Sequence, residues 1–394
     1  MLHSCSLQCY NIFELCREAI TMLQSYTLEG FKSIRQRTEV DLRKTQYQVL
    51  ENTNVDQGVL KGCMFVGGNA SGKTNLLDGI FILIEALFSN KNIDWKSYCC
   101  LFADSKNFTN SYVFLIDGKN IEYQIGYYAE EEALIEKLLV NNATVIERMG
   151  NTAKSKISER KLFNDIPGDS VFLRDLWFNT RFRGEPLLQK WFAFLSESKY
   201  VNPQWHMIVG NDVRERFSID KYLKENGVDE LNSFLDECGF DYSLSYRPNE
   251  IDDGAPFSGL YVKRRGIQPD IPMAIESLGN KHLMSILPSY LSVVKNSGML
   301  ICDEFSSGLH NDLEELLIKY FMCHSQNSQI FIVSHSTNLI SSSLLRPDQL
   351  YAVNFDCNGT NIVRFSSEQP RTGQNYEKMY LGGVFSGLPK YNEI

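Results

Sequence analysis

No uninterrupted apolar run in the 394-residue sequence approaches the ~18 residues that a membrane-spanning helix needs, so no membrane association is expected. The segment Met1 to Thr21 lacks a basic stretch followed by a long apolar core, so it does not read as a signal peptide. It reads either as a short extra helix or as an extension ahead of a true start at Met22. None of the ten cysteines stands in a C-x-x-C pair, which removes the spacing a zinc knuckle needs. Cys63 and Cys302 lie in apolar runs, where cysteine acts as a small buried hydrophobe, and a reducing cytoplasm fits this usage. Positive charge is also short: 39 Lys and Arg against 48 Asp and Glu give a net charge of -9. That excludes a chain that coats nucleic acid uniformly, because such binding depends on neutralising phosphates, but it leaves room for a local basic groove. Sustained heptads, internal repeats and low-complexity tracts are absent, so no long coiled-coil arm is expected.

What is present is ordinary globular material, 43% hydrophobic and 22% charged, enough for one large domain or two modest ones. A strand is expected from Met22 to Gly30, with a second around Arg37 to Leu42 pairing with it. The apolar run Cys63 to Val66 reads as a buried strand, followed by a glycine-rich turn and a helix over Lys73 to Phe88. Alternating segments at Ser111–Asp117, Ile121–Tyr128 and Leu134–Val140 predict an antiparallel meander. The expected organisation is an extension over 1–21, an N-terminal lobe over 22–150, a mostly helical insertion over 151–255 and a C-terminal lobe over 256–394.

Four motifs carry chemistry. Gly67-Gly68-Asn69-Ala70-Ser71-Gly72-Lys73-Thr74 is a full G-x-x-x-x-G-K-[ST] loop between an apolar strand and a helix, with Asn75 next in line. Its glycines let backbone N–H groups turn around phosphates at a helix N-terminus. Lys73 is expected to reach the β- and γ-phosphates, and Thr74 to bind Mg²⁺. Gly298 to Glu304 is an apolar strand delivering Asp303 and Glu304 to its carboxyl end, one carboxylate for Mg²⁺ and one to polarise an attacking water. Gln329 to His335 is a further apolar strand ending in a histidine placed to contact a γ-phosphate; a capping or core histidine is the alternative. Glu276-Ser277-Leu278-Gly279-Asn280 opens a helix about twenty residues before the acidic pair, and a plain N-cap serine is the alternative there.

In this order the four motifs resemble the ATP-binding cassette arrangement of the ABC/SMC head type. The resemblance implies an α/β P-loop NTPase fold with an antiparallel β subdomain and a helical insertion. It implies that Ser277, Gly279 and Asn280 form the signature, closing on the γ-phosphate held by a second subunit. Ser306 to His310 then matches the D-loop, with Ser307, Gly308 and Leu309 at its centre. About 200 residues separate Thr74 from Ser277, which suits SMC, RecF and OLD-like heads better than transporter cassettes.

Several segments further resemble anti-phage abortive-infection ATPases of the RloA/AbiLi type: Leu28 to Ile34, Glu276 to Gly279, Gly308-Leu309-His310 and the tail from Arg371 to Pro389. That likeness implies a dimeric ATPase using ATP and Mg²⁺ and regulating a separately encoded effector, often a Toprim-like nuclease. The sequence departs from the pattern in having no proline after His310. Fewer than 60 residues follow His335, without a closely spaced Asp-x-Asp pair, so a Toprim nuclease within the chain is rejected. A DNA-gripping repair ATPase of the RecF/SMC kind is the alternative. Lys263-Arg264-Arg265 is its candidate DNA contact, with solvated surface as the plainer reading. Lys32 and Arg35 are candidate nucleotide contacts, with an exposed strand end the even alternative, and Gln124 is a candidate Q-loop residue, with an exposed strand glutamine the preferred reading.

Overall fold

The computed structural model describes residues 20–89, 92–202, 207–209, 214–216, 219–248 and 257–388. The extension expected over 1–21 lies outside the described residues up to position 19, and the tail resemblance leaves them after Leu388.

Strand β1 (Thr21–Glu29) and strand β2 (Thr38–Asp41) pair antiparallel, and β3 (Gly62–Gly67) runs into α1 (Lys73–Phe88). The meander begins with β4 (Asn107–Ile116), β5 (Lys119–Tyr128) and β6 (Ala133–Val140). It continues through β7 (Ala143–Met149), β8 (Thr152–Ser155) and β9 (Leu162–Phe163). Together they form one antiparallel sheet in the order β9-β8-β7-β6-β5-β4-β1-β2. The boundary expected at residue 150 therefore falls inside this sheet. The reason is a buried ion pair: Glu136 on β6 and Arg148 on β7 are 2.8 Å apart with both side chains fully covered. Glu136 also accepts from the backbone N–H groups of Phe172 and Leu173, which docks helix α2 (Phe172–Thr180) onto the meander. Charges that read as solvent-facing are the glue of this lobe.

Helix α3 (Pro186–Glu197) leads into β10 (Lys199–Asn202), then β11 (Met207–Val209) and β12 (Arg214–Arg216). The helices Ile219–Asn226 and Asp229–Glu237 follow, so the segment expected to be mostly helical contains, among its described residues, four helices and also strands of both main sheets. Strand β13 (Tyr242–Tyr246), still within that segment, joins β14 (Leu260–Arg264) and β15 (Ile271–Pro272) in a small sheet of their own. Helix α4 (Leu278–Asn296), β16 (Gly298–Cys302), α5 (Asn311–His324), β17 (Ser328–Val333), β18 (Leu350–Asp356), β19 (Gly359–Arg364) and α6 (Tyr376–Leu381) complete the chain.

The second large sheet has the order β12-β11-β10-β16-β17-β3-β18-β19, and β10, β16, β17, β3 and β18 run parallel. Parallel strands covered on both faces need continuous apolar sequence. Accordingly Cys63, Phe65, Met299, Ile301, Phe331 and Val333 join the core that includes α1 and the meander. Their alternates Met64, Val66, Leu300, Cys302, Ile330 and Ile332 join the core that includes α4 and α5. Buried Gln329 ties the sheets together where β1 bulges between Leu23 and Ser25. Its amide accepts from the Leu23 N–H and donates to the carbonyls of Leu23 and Leu60. Gly79 lets β1 approach α1, since a Cβ there would sit 2.5 Å from Leu28 Cδ1. The fold is thus an α/β P-loop sheet carrying an antiparallel subdomain.

Candidate functional site

Three neighbouring parallel strands, β16, β17 and β3, deliver their carboxyl ends to one edge of the sheet, where ligands of open α/β sheets bind. At the end of β3 the backbone turns with Ala70 at φ 60 and Gly72 at φ 100, so the peptide groups curl inward before α1 begins. Gly72 admits no side chain, because a Cβ would stand 2.1 Å from Thr360 Oγ1. Asn69 and Ala70 are exposed at the tip, and Gly67 and Gly68 are half-buried. Buried Lys73 donates to the carbonyls of Gly67 at 2.9 Å and Gly68 at 2.7 Å. Its pKa is lowered by burial, with the charges of Glu304 and Asp303 opposing. Ser71 Oγ is buried and has no hydrogen-bond partner among the described residues. An orphaned hydroxyl and a desolvated ammonium beside a curled row of amides fit a polyphosphate.

Thr74 Oγ1 lies 3.3 and 3.2 Å from the two carboxylate oxygens of Asp303. Buried Asp303 has its pKa raised to about 6 by desolvation and then by the neighbouring Glu304 charge, with the Thr74 hydrogen bond pulling the other way. A hydroxyl and a buried carboxylate make an all-oxygen donor pair of the hard type that suits Mg²⁺. Glu304 follows with φ 56, an unusual left-handed conformation for a non-glycine residue and one found most often where function demands it. His335 is exposed just beyond β17; partial desolvation and then the Lys73 charge hold its pKa down, with Glu304 opposing. Glu304 acts on both His335 and Lys73, and Lys73 acts on His335, so these three side chains share one electrostatic neighbourhood.

The Ser277 to Asn280 segment opens a helix that packs against the loop following Glu304. Ser277 caps α4, its Oγ accepting from the Asn280 N–H at 3.2 Å, while Glu276 accepts from the Ser277 N–H and the Asn280 amide. Burial raises the Glu276 pKa, but these hydrogen bonds and Arg264 outweigh it and hold it below its usual value. Gly279 packs on the Ser306–His310 loop so closely that a Cβ would sit 2.7 Å from the Gly308 carbonyl oxygen. Leu309 is buried, Gly308 exposed, and the Ser307 N–H donates to the Glu304 carbonyl. Ser306 Oγ lies 2.5 Å from Ser334 Oγ, next to His335. Among the described residues no hydrogen bond joins Ser277, Gly279 or Asn280 to the phosphate loop of the same chain.

Other candidates separate. Lys32 forms an ion pair with Asp78, one turn beyond Thr74, and sits over the Tyr98 ring. Arg35 pairs with Asp104. Arg264 is engaged by Asp241, Glu276 and the Tyr242 ring, which leaves Lys263 and Arg265 exposed on either side. Gln124 sits in the antiparallel sheet opposite Ser111 and Lys137, away from the carboxyl ends of the parallel strands.

Sequence reasoning missed residues brought in from afar. Asn202, at the end of β10, donates to Asp303 at 3.3 Å. Thr360 donates to the Ser71 carbonyl at 2.9 Å and meets Ser33, which also accepts from Asn75. The Gly387 carbonyl accepts from the Gly68 N–H, and Glu377 on α6 accepts from Thr337, so the C-terminal segment touches both the phosphate loop and the segment after His335.

The family model described as "AAA domain, putative AbiEii toxin, Type IV TA system" matches residues 64–341, well over half of the chain. No curated protein matches. Among solved structures, an SMC head domain from Thermotoga maritima aligns at 16% identity and a TM-score of 0.48, covering 87% of this chain and 98% of that one. An SMC head bound to the C-terminal winged-helix domain of ScpA aligns at 13% identity and 0.47, covering 86% and 96%. An Smc head with an extended coiled coil, bound to the C-terminal domain of ScpA derived from Pyrococcus furiosus, aligns at 15% and 0.42, covering 87% and 96%.

Proposed function

The chain belongs to this AAA-domain family, and from that premise we propose that it binds ATP with Mg²⁺, hydrolyses it, and closes as a pair of identical chains around two nucleotides. We further propose that this cycle regulates a separately encoded effector of the nuclease class, in the cytoplasm, during anti-phage abortive infection. The observation that carries the reading is the convergence of Lys73, Thr74, Asp303, Glu304 and His335 at one sheet edge, with Ser277 and Gly279 held at a different helix end.

Within one chain, the amides of residues 68–74 and the Lys73 ammonium cradle the phosphates. Thr74 and Asp303 hold Mg²⁺, which when bound neutralises charge on the phosphate oxygens. Asn202 orients the Asp303 carboxylate through the hydrogen bond described above. Glu304 accepts the proton of the attacking water, and His335 donates to the γ-phosphate. The helix N-terminus at Ser277 supplies the missing face of the phosphate from the second chain. This division accounts for an exposed Ser277 cap that makes no hydrogen bond to the phosphate loop of its own chain among the described residues.

The DNA-gripping alternative has less support, because the basic run expected to serve it has its central member, Arg264, committed to two carboxylates. The test of the enzymatic reading is turnover. Glu304→Gln is expected to slow phosphate release about 100- to 10,000-fold while ATP binding persists. Hydrolysis at the parent rate by that variant refutes the assigned role.

A further inference from the structure

One exposed aromatic pair stands beside the phosphate loop without a part in the chemistry above. Phe102 and Phe355 are each 48% exposed, and their rings meet edge to face with centroids 5.7 Å apart. Their position is fixed by register. In the β18–β19 ladder Phe355 lies directly opposite Thr360. Opposed residues of an antiparallel pair project from the same face with Cβ atoms about 5 Å apart. Thr360 is the residue whose hydroxyl donates to the Ser71 carbonyl and closes over Gly72. The Phe355 ring therefore stands one cross-strand neighbour away from the turn that would hold phosphates. Tyr351 and Val353, on the same face of β18, belong to the core shared with α1, so this is the side of the sheet on which the loop and its helix lie.

Phe102 comes from the loop between α1 and β4, next to Leu101, which is 80% exposed. A charged rim follows, with Asp104 pairing to Arg35 of the β1–β2 connection, and Ile34 of that connection bridges to Gly359. Three segments far apart in sequence thus gather two aromatic rings at the mouth of the phosphate site and leave them in water. An edge-to-face pair leaves ring face uncovered, and uncovered aromatic surface beside an anion site suits a flat apolar group linked to phosphates.

We propose that Phe102 and Phe355 form the platform on which the nucleobase stacks when the phosphate loop is loaded. The inference rests on the nucleotide reading of that loop and adds to it the part of the ligand that the loop does not touch. A platform reads the π-face of a base rather than its edge, so purine nucleotides bind alike there whichever groups their edges carry.

The experiment compares ADP with inorganic pyrophosphate by calorimetric titration, both with Mg²⁺, on the parent protein and on Phe355→Leu and Phe355→Trp. Leucine keeps apolar packing against Phe102 but has no π-face; tryptophan keeps both. Phe355→Leu is expected to weaken ADP about tenfold and leave pyrophosphate unchanged, with Phe355→Trp restoring ADP affinity. Unchanged ADP affinity in Phe355→Leu overturns the proposal, as does equal weakening of ADP and pyrophosphate, which makes the pair a packing element. A parent protein that binds neither ligand refutes the loop reading itself, an outcome distinct from both.

Discussion

The two ends of the proposed nucleotide pocket are built on opposite physical terms. At the phosphate loop the polar groups are desolvated: Lys73 is buried, the Asp303 carboxyl is pushed up to about 6, Ser71 Oγ has no partner among the described residues, and Glu304 has a left-handed backbone. At the Ser277 helix end the reverse holds. The cap is satisfied, Glu276 is held below its usual pKa by its donors, and the flanking Ile275 and Leu278 are 74% and 72% exposed. One end stores unfavourable electrostatics that a ligand relieves. The other is finished but bare, as a surface awaiting contact is. A half-site of the first kind binds nucleotide alone, and one of the second kind acts only against another molecule.

This contrast is sharpened by substitutions at each end. The largest effect is expected from Lys73→Ala, which removes the buried cation and weakens ATP binding roughly 100-fold by calorimetry. An affinity near the parent's would show that the loop is not the phosphate site. Next comes Asp303→Asn. Its folded pKa lies above the unfolded value, so the ionised carboxylate opposes folding: any stabilisation is complete below about pH 4 and is lost as pH rises through about 6. The nucleotide-free Asn variant should therefore be about 1–3 kcal/mol more stable than the parent at pH 7.5, with the gap closing towards pH 4 in denaturant titrations. An Asn variant less stable at pH 7.5 would mean that Asp303 is not electrostatically strained. The smallest effect is expected at the other end, where Ser277→Ala removes one cap hydrogen bond and costs about 1 kcal/mol of stability with nucleotide affinity unchanged. Loss of single-chain ATP binding in that variant would erase the distinction between the two ends.

Legibility in the sequence followed the range of the interactions. The helix Lys73–Phe88, the β1–β2 pairing and the three buried strands were readable because each is encoded in a few consecutive residues, the strands as apolar runs ended by glycine, by acid or by Ser334-His335. The meander was read only as far as Val140. Past it, Ala143–Met149 carries Glu147 and Arg148, and nothing local tells that Arg148 faces Glu136 in the core rather than water. Strand Lys199–Asn202 was taken as part of a helical insertion because its partner Leu300–Cys302 lies a hundred residues away. For the same reason Asn202, Thr360 and Gly387 stayed hidden, each reaching the site across the sheet. Gln124 had the right residue type in the wrong sheet.

The central claim is that each chain carries two incomplete halves of one pocket. Light scattering coupled to size-exclusion chromatography on Glu304→Gln, with and without saturating ATP and Mg²⁺, tests it most directly. The account predicts twice the chain mass of 45.2 kDa with nucleotide and the single-chain mass without it. A mass that stays at one chain in saturating ATP and Mg²⁺ would contradict it.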